Sequence, residues 1–148
     1  MSTENQVHLL GQFNREEQRA ADTITPAMLV ELDTNGEVVP HSTAGGYAER
    51  IFAEIDALQG NTLSDDYSDD DLVALNVEFP GSETQAWIAA GEDIDIGDML
   101  ISAGDGTLIE NGSEGSGVTV RQIIAVAREV QDLTGSGAVD TLTRVRVL

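Results

Sequence analysis

A chain of 148 residues sits near the commonest size of a single domain and can bury a substantial core. Its 27 acidic residues against seven basic ones leave a formal charge of −20, a surface that repels nucleic acid and anionic membranes. All seven cations are arginines, so the lysine of a Walker-type phosphate loop or a Schiff-base enzyme is missing, and without cysteine there is no disulfide, thiolate nucleophile or cysteine-ligated metal.

No apolar run approaches the roughly 20 residues that span a bilayer, and Met1 to Gln6 carry neither the basic nor the apolar region of a signal peptide. The expectation is a soluble chain without a readable export signal. Its 41% hydrophobic content falls into short alternating runs between glycine turns, which argues for a folded chain despite the charge. Acid richness with arginine as the only cation suggests a high-salt solvent, where screening removes self-repulsion; acidity acquired by drift is the alternative.

Residues 1–22 read as an N-terminal arm, with Val7, Leu9, Leu10 and Phe13 as its large apolar groups around a polar cluster from Asn14 to Arg19. Such a segment is expected to order only against a partner, which makes those four residues candidates for an interface with a partner or a neighbouring subunit; a frayed terminus is the other reading. The β-rich domain is expected over 23–148. Its first unit, Met28 to Val39, has strand, Asn35-Gly36 turn and strand. A similar pattern returns at Asp98 to Ile109, pairing Met28-Leu29-Val30 with Met99-Leu100-Ile101 and Gly36 with Gly106 after a one-residue deletion, either a duplicated half-barrel or chance. Between them, Tyr47, Ile51, Ile55 and Leu58 carry helical spacing, yet Ile51, Ala53 and Ile55 also fit one face of a strand.

Val73, Leu75, Val77 and Phe79 alternate as in a half-buried strand, Pro80-Gly81-Ser82 turns it, and Gln85 to Ala89 returns with Trp87 as a core or interface anchor. Arg121 to Gln131 and Leu142 to Leu148 are further strand candidates, the last with Val145 and Val147 opposite Arg144 and Arg146. The alternation throughout predicts a mainly β single domain, a small barrel or sandwich with minor helix.

Catalytic candidates are absent from this pattern. There is no Gly-x-Ser-x-Gly elbow, and the two histidines, His8 and His41, are too few for a His-rich metal site. Asp65, Asp66, Asp69, Asp70 and Asp71 put five carboxylates into seven residues and are weak candidates for a hard cation such as calcium, against the simpler reading of a solvated acidic turn. Asp93 and Asp95 with Asp98 form a weaker version. Asn111-Gly112-Ser113 fits a glycosylation sequon that matters only in an exported chain.

Ile24-Thr25-Pro26-Ala27-Met28-Leu29-Val30-Glu31-Leu32, then Val39-Pro40-His41-Ser42-Thr43-Ala44-Gly45-Gly46, resemble the opening of head decoration (capsid cement) proteins of tailed double-stranded DNA viruses. The likeness continues through Phe52-Ala53, Leu58-Gln59-Gly60, Pro80-Gly81, Ile96 to Leu108 and the closing Arg144-Val145-Arg146-Val147-Leu148. The resemblance covers about Ile24 to Leu148 and implies a β-tulip-like protein on the outer surface of the virion capsid. It would bind the major capsid protein as a homotrimer, with no reaction, cofactor, nucleic acid or membrane involved. It favours strand over 50–58. The acidity departs from the family and fits a virus of halophilic archaea, whereas residues 1–22 have no counterpart in it. Arg144 and Arg146, two guanidiniums on one strand face, are expected to pair with carboxylates within the trimer. A cation-dependent surface or extracellular module and a small carboxylate-based hydrolase are the rival functions.

Overall fold

A computed structural model of the chain describes residues 5–148. Thirteen strands and one short 3-10 turn make up the regular structure of these residues. Five strands close a barrel in the order β7 (Glu83–Ile88), β10 (Leu108–Glu110), β9 (Met99–Ser102), β11 (Ala125–Ala127), β13 (Thr141–Val147) and back to β7. Closure is uneven. β13 lies antiparallel along β7 from Thr141↔Ile88 to Arg146↔Glu83, whereas β10 meets β7 in parallel at the single pair Leu108↔Ile88.

The rest of that second edge of β7 is covered by β1 (His8–Leu10), which pairs antiparallel at His8↔Thr84 and Leu10↔Glu83 across a bulge. Val7 is fully buried in the barrel core beside Ala86, Ile88, Leu100 and Val145. Residues 8–19 are therefore built into the fold and are not an arm: β1 lies on the barrel wall, and residues 13–19 form a strand of the sheet beside it. The expectation erred because it weighed only the apolar content of the segment. Strand pairing also satisfies backbone groups, and an open edge on β7 supplies partners to any extended segment of suitable register.

Beside the barrel stands a lobe. β2 (Phe13–Arg19), β6 (Leu72–Glu78) and β5 (Ile51–Ala53) form an antiparallel sheet in the order β2-β6-β5, and the hairpin of β3 (Val30–Leu32) and β4 (Val38–Pro40) packs on it. Its core holds Ile24, Val30, Val38, Ile51, Tyr67, Val73 and Leu75. Period-two alternation makes β5 the shared wall, since Ile51 and Ala53 face this core while Phe52 enters the barrel core. The ambiguous 50–58 segment thus resolves into strand and a 3-10 turn, Ala57–Gln59, ended by the left-handed Gly60. β8 (Asp93–Ile94) and β12 (Gln131–Asp132) pair as a small flap.

The two similar hairpins share a constant offset of 70 residues without the deletion, because Leu32 pairs with Val38 as Ser102 pairs with Leu108. Only β9–β10 belongs to the barrel, so the repetition is not one of two equal half-barrels. Gly11 (φ +98°) carries the chain from β1 in the barrel to β2 in the lobe, so close to Ser82 that a Cβ would lie 2.9 Å from Ser82 Cα.

Candidate functional site

Three places gather polar side chains, and they do different work. The first lies on the outer wall of the barrel. β7 and β13 alternate so that Val145 and Val147 fill the core while Glu83, Arg144 and Arg146 share the exterior face. Glu83, four per cent exposed, receives Arg144 through Nε at 3.2 Å and Nη2 at 2.8 Å on Oε2. Arg128 Nε and Arg146 Nη2 stand 3.4 and 3.7 Å from Oε1.

Arg144 is therefore paired within its own chain, as is Arg146 more loosely. Each of the three arginine side chains keeps about 40% of its surface in solvent, and Arg146 Nε is buried without an acceptor. Glu83 and Arg128 had no distinguishing mark in the sequence. Glu83 was one acid among 27, and its link to Arg144 spans 61 positions.

The second place is a buried carboxylate layer where the lobe meets β1. Glu54 Oε1 accepts the backbone N–H of Val7 at 3.1 Å and of Ile55 at 2.9 Å, and its Oε2 accepts Asn76 Nδ2 at 2.8 Å. Asn76 Oδ1 in turn accepts Arg15 Nε. His8 Nδ1 lies 2.8 Å from Glu78 Oε2, with the ring against Phe13 at 4.2 Å between centroids. Burial pushes the Glu78 carboxyl above the ordinary carboxylate range, with the His8 hydrogen bond opposing it. Burial likewise raises the Tyr67 phenol to about 12, and its hydroxyl donates to Glu54 C=O at 2.6 Å. A cavity of about 630 Å³ opens beside this layer, lined by Arg15, Glu54, Ile55, Leu58 and Tyr67 among others.

The third is a serine–histidine–acid alignment. His41 Nδ1 stands 2.6 Å from Ser102 Oγ, and Glu31 Oε2 is 3.6 Å from Nε2. Nε2 has a closer acceptor in Tyr47 C=O at 3.0 Å, and Ser102 is fully buried while accepting the Gly104 N–H. A nucleophile sealed from substrate cannot attack one. The arrangement ties the β3–β4 hairpin and the following loop to β9.

Among the interface candidates in the first twenty residues, Val7 is enclosed by its own core and is not available to a partner. Leu9 and Phe13 are half-buried, and Leu10 is exposed. The aspartate run serves its own turns. Asp65 accepts Thr62 N–H, Asp71 accepts Ser68 N–H, and Asp70, at φ +70°, takes Arg19 on its carbonyl at 3.0 Å. Asp66 and Asp69 flank Tyr67 and Ser68 in this loop. Among the described residues, no group of three or more histidine, aspartate and glutamate side chains is arranged to hold a metal ion.

No family model matches the sequence, and no curated protein matches it. A solved structure does. The crystal structure of the head fiber gp8.5 N base of bacteriophage phi29 superposes with a TM-score of 0.57 at 16% identity, covering 93% of this chain and 95% of that one. At that identity the likeness is one of fold, and it extends over the barrel and the lobe together.

Proposed function

We propose that this chain is a non-enzymatic protein of the virion of a tailed virus, attached to the outer surface of the capsid, where it decorates and stabilises the shell. The observation that carries the reading is the near end-to-end likeness to a phage head fiber base. The sequence resemblance to head decoration proteins supports the same class from other evidence. The one serine–histidine–acid alignment described above does not argue otherwise, because its serine is buried and bonded within the fold.

Its partners under this reading are the major capsid protein and further copies of itself in a homotrimer, with no role for nucleic acid or membrane. The acidic surface suits a concentrated salt medium such as that of halophilic hosts. The decisive experiment mixes the purified chain with capsids lacking it and sediments the particles. Stoichiometric recovery with the shell is expected, and a chain left in the supernatant overturns the proposal. Denaturant midpoints measured from low to molar sodium chloride test the medium separately. They should climb with salt, and flat midpoints would show that the acidity has no such role.

A further inference from the structure

We infer that the arginine face of the barrel is a head-to-tail docking surface for the acidic surface of a second copy of this chain. The inference rests on the self-association part of the proposed function and specifies its chemistry. Register places Met99, Val126, Arg146 and Glu83 in one row across β9, β11, β13 and β7. Exposed Leu10 of β1 stands opposite Glu83 beyond the bulge. The centre of the face is cationic and its flanks are apolar.

Among the described residues, the guanidiniums of Arg128, Arg144 and Arg146 converge on the one carboxylate of Glu83, and the Arg144 backbone N–H donates to Glu129, whereas the chain as a whole carries −20. The other four arginines are scattered and engaged elsewhere. Arg15 bonds Asn76, Arg19 bonds Asp70, Arg121 pairs with Glu114, and Arg50 clamps the carbonyls of Ala48, Ile123 and Leu148. Each of the three side chains of the face keeps about 40% of its surface in solvent, and a carboxylate is the anion that a guanidinium fork fits best.

Charge complementarity selects the occupant. A second copy presents acid over most of its surface, so this face finds a match there, flanked by apolar contacts that a flexible polyanion would leave uncovered. Two arginine faces repel, so the patch does not pair with itself across a two-fold axis, and the contact inferred is heterologous, the arginine face of one copy on an acidic face of the next. Such a contact continues from copy to copy beyond a dimer, and it ends in a ring where the rotation between copies closes.

Sedimentation at about 1 M sodium chloride tests this, because screening over about 3 Å removes the long-range repulsion between copies while direct contacts persist. The full chain should associate beyond a dimer. The double variant Arg128→Gln with Arg146→Gln leaves Arg144 on Glu83, so the buried carboxylate stays paired and the melting temperature should hold. Its association should weaken at least tenfold. Met99→Glu, an exposed flanking change, should weaken it without touching the arginines. A parent that is monomeric or strictly dimeric overturns the inference, and so does an oligomer that survives both the double variant and Met99→Glu. The first outcome also removes the homotrimer, whereas the last leaves it standing with a different interface. Capsid sedimentation reports on the functional reading independently.

Discussion

The barrel and the lobe share a wall, yet they are held in different ways. The barrel closes its hydrogen bonds around a ring and fills the interior with apolar side chains such as Ile88, Leu100, Leu108 and Val145, and its buried polar residues are mostly hydroxyls and amides. Thr84 Oγ1, for example, donates to the Val7 carbonyl. The lobe has a smaller apolar core, and at its junction with β1 it buries Glu54, Asn76 and Glu78. A ring of apolar packing responds little to pH, while a buried carboxylate layer carries a protonation state into folding. The lobe is thus the part of this molecule that solution conditions can loosen, and the barrel wall is where a rigid recognition face can be built.

The strongest way to break this contrast is at the wall both regions use. Phe52 is fully buried in the barrel core, while its neighbours Ile51 and Ala53 serve the lobe. Phe52→Ala should cost about 3–5 kcal/mol, and the loss should appear as one cooperative transition with a lowered denaturant midpoint. Two separated transitions would show that β5 does not couple the cores.

Gly11 tests the crossing between the regions. It holds φ +98° against Ser82, so Gly11→Ala should cost at least about 1–2 kcal/mol for the left-handed backbone, with the close approach adding to it. Hydrogen exchange should quicken first in β2 and its partner β6, with the β7–β13 ladder still protected. Equal loss in both would show that the lobe does not open locally ahead of the barrel.

Much of the fold was readable from the sequence, because its signals are local. Alternation marked β6, β7 and β13, and turn chemistry at Asn35-Gly36 and Gly104 to Gly106 marked both hairpins. The role of residues 8–19 was not readable, since a seven-residue strand of Phe, Asn, Arg, Glu and Gln has no apolar face to announce it. It exists because β6 offers a complete ladder from Phe13↔Glu78 to Arg19↔Leu72. The same holds for the site. Arg144 and Arg146 stood out by strand spacing and by the rarity of cations, but Glu83 and Arg128 join them only through barrel closure.

A smaller effect belongs to Tyr67, whose hydroxyl satisfies the buried Glu54 carbonyl at 2.6 Å. Tyr67→Phe should lower stability by about 1 kcal/mol, the ordinary net value of such a bond. The parent should also lose stability as pH rises from the ordinary phenol range toward about 12, because the folded chain holds the phenol proton longer than the unfolded chain does. The variant should lack that alkaline component, and an identical alkaline limb in both proteins would place the titration elsewhere.

The finest test of the contrast is Glu78. Burial raises its carboxyl above the ordinary range, so between that range and the raised value the folded chain binds a proton that the unfolded chain has already released. Stability from this group therefore falls as pH rises through the window and does not recover above it, where an ionised carboxylate stays buried against His8. Glu78→Gln keeps an oxygen acceptor for His8 Nδ1 and removes the titration. Relative to the parent, the variant should gain stability steadily as pH rises from the ordinary carboxylate range through the raised value, whatever constant offset the amide introduces. Subtracting the two curves removes the shared repulsion among the other carboxylates, which also eases in acid. A difference that stays flat across the window would mean that Glu78 ionises as freely in the folded chain as in the unfolded one, and the lobe would then owe its response to pH to surface charge alone.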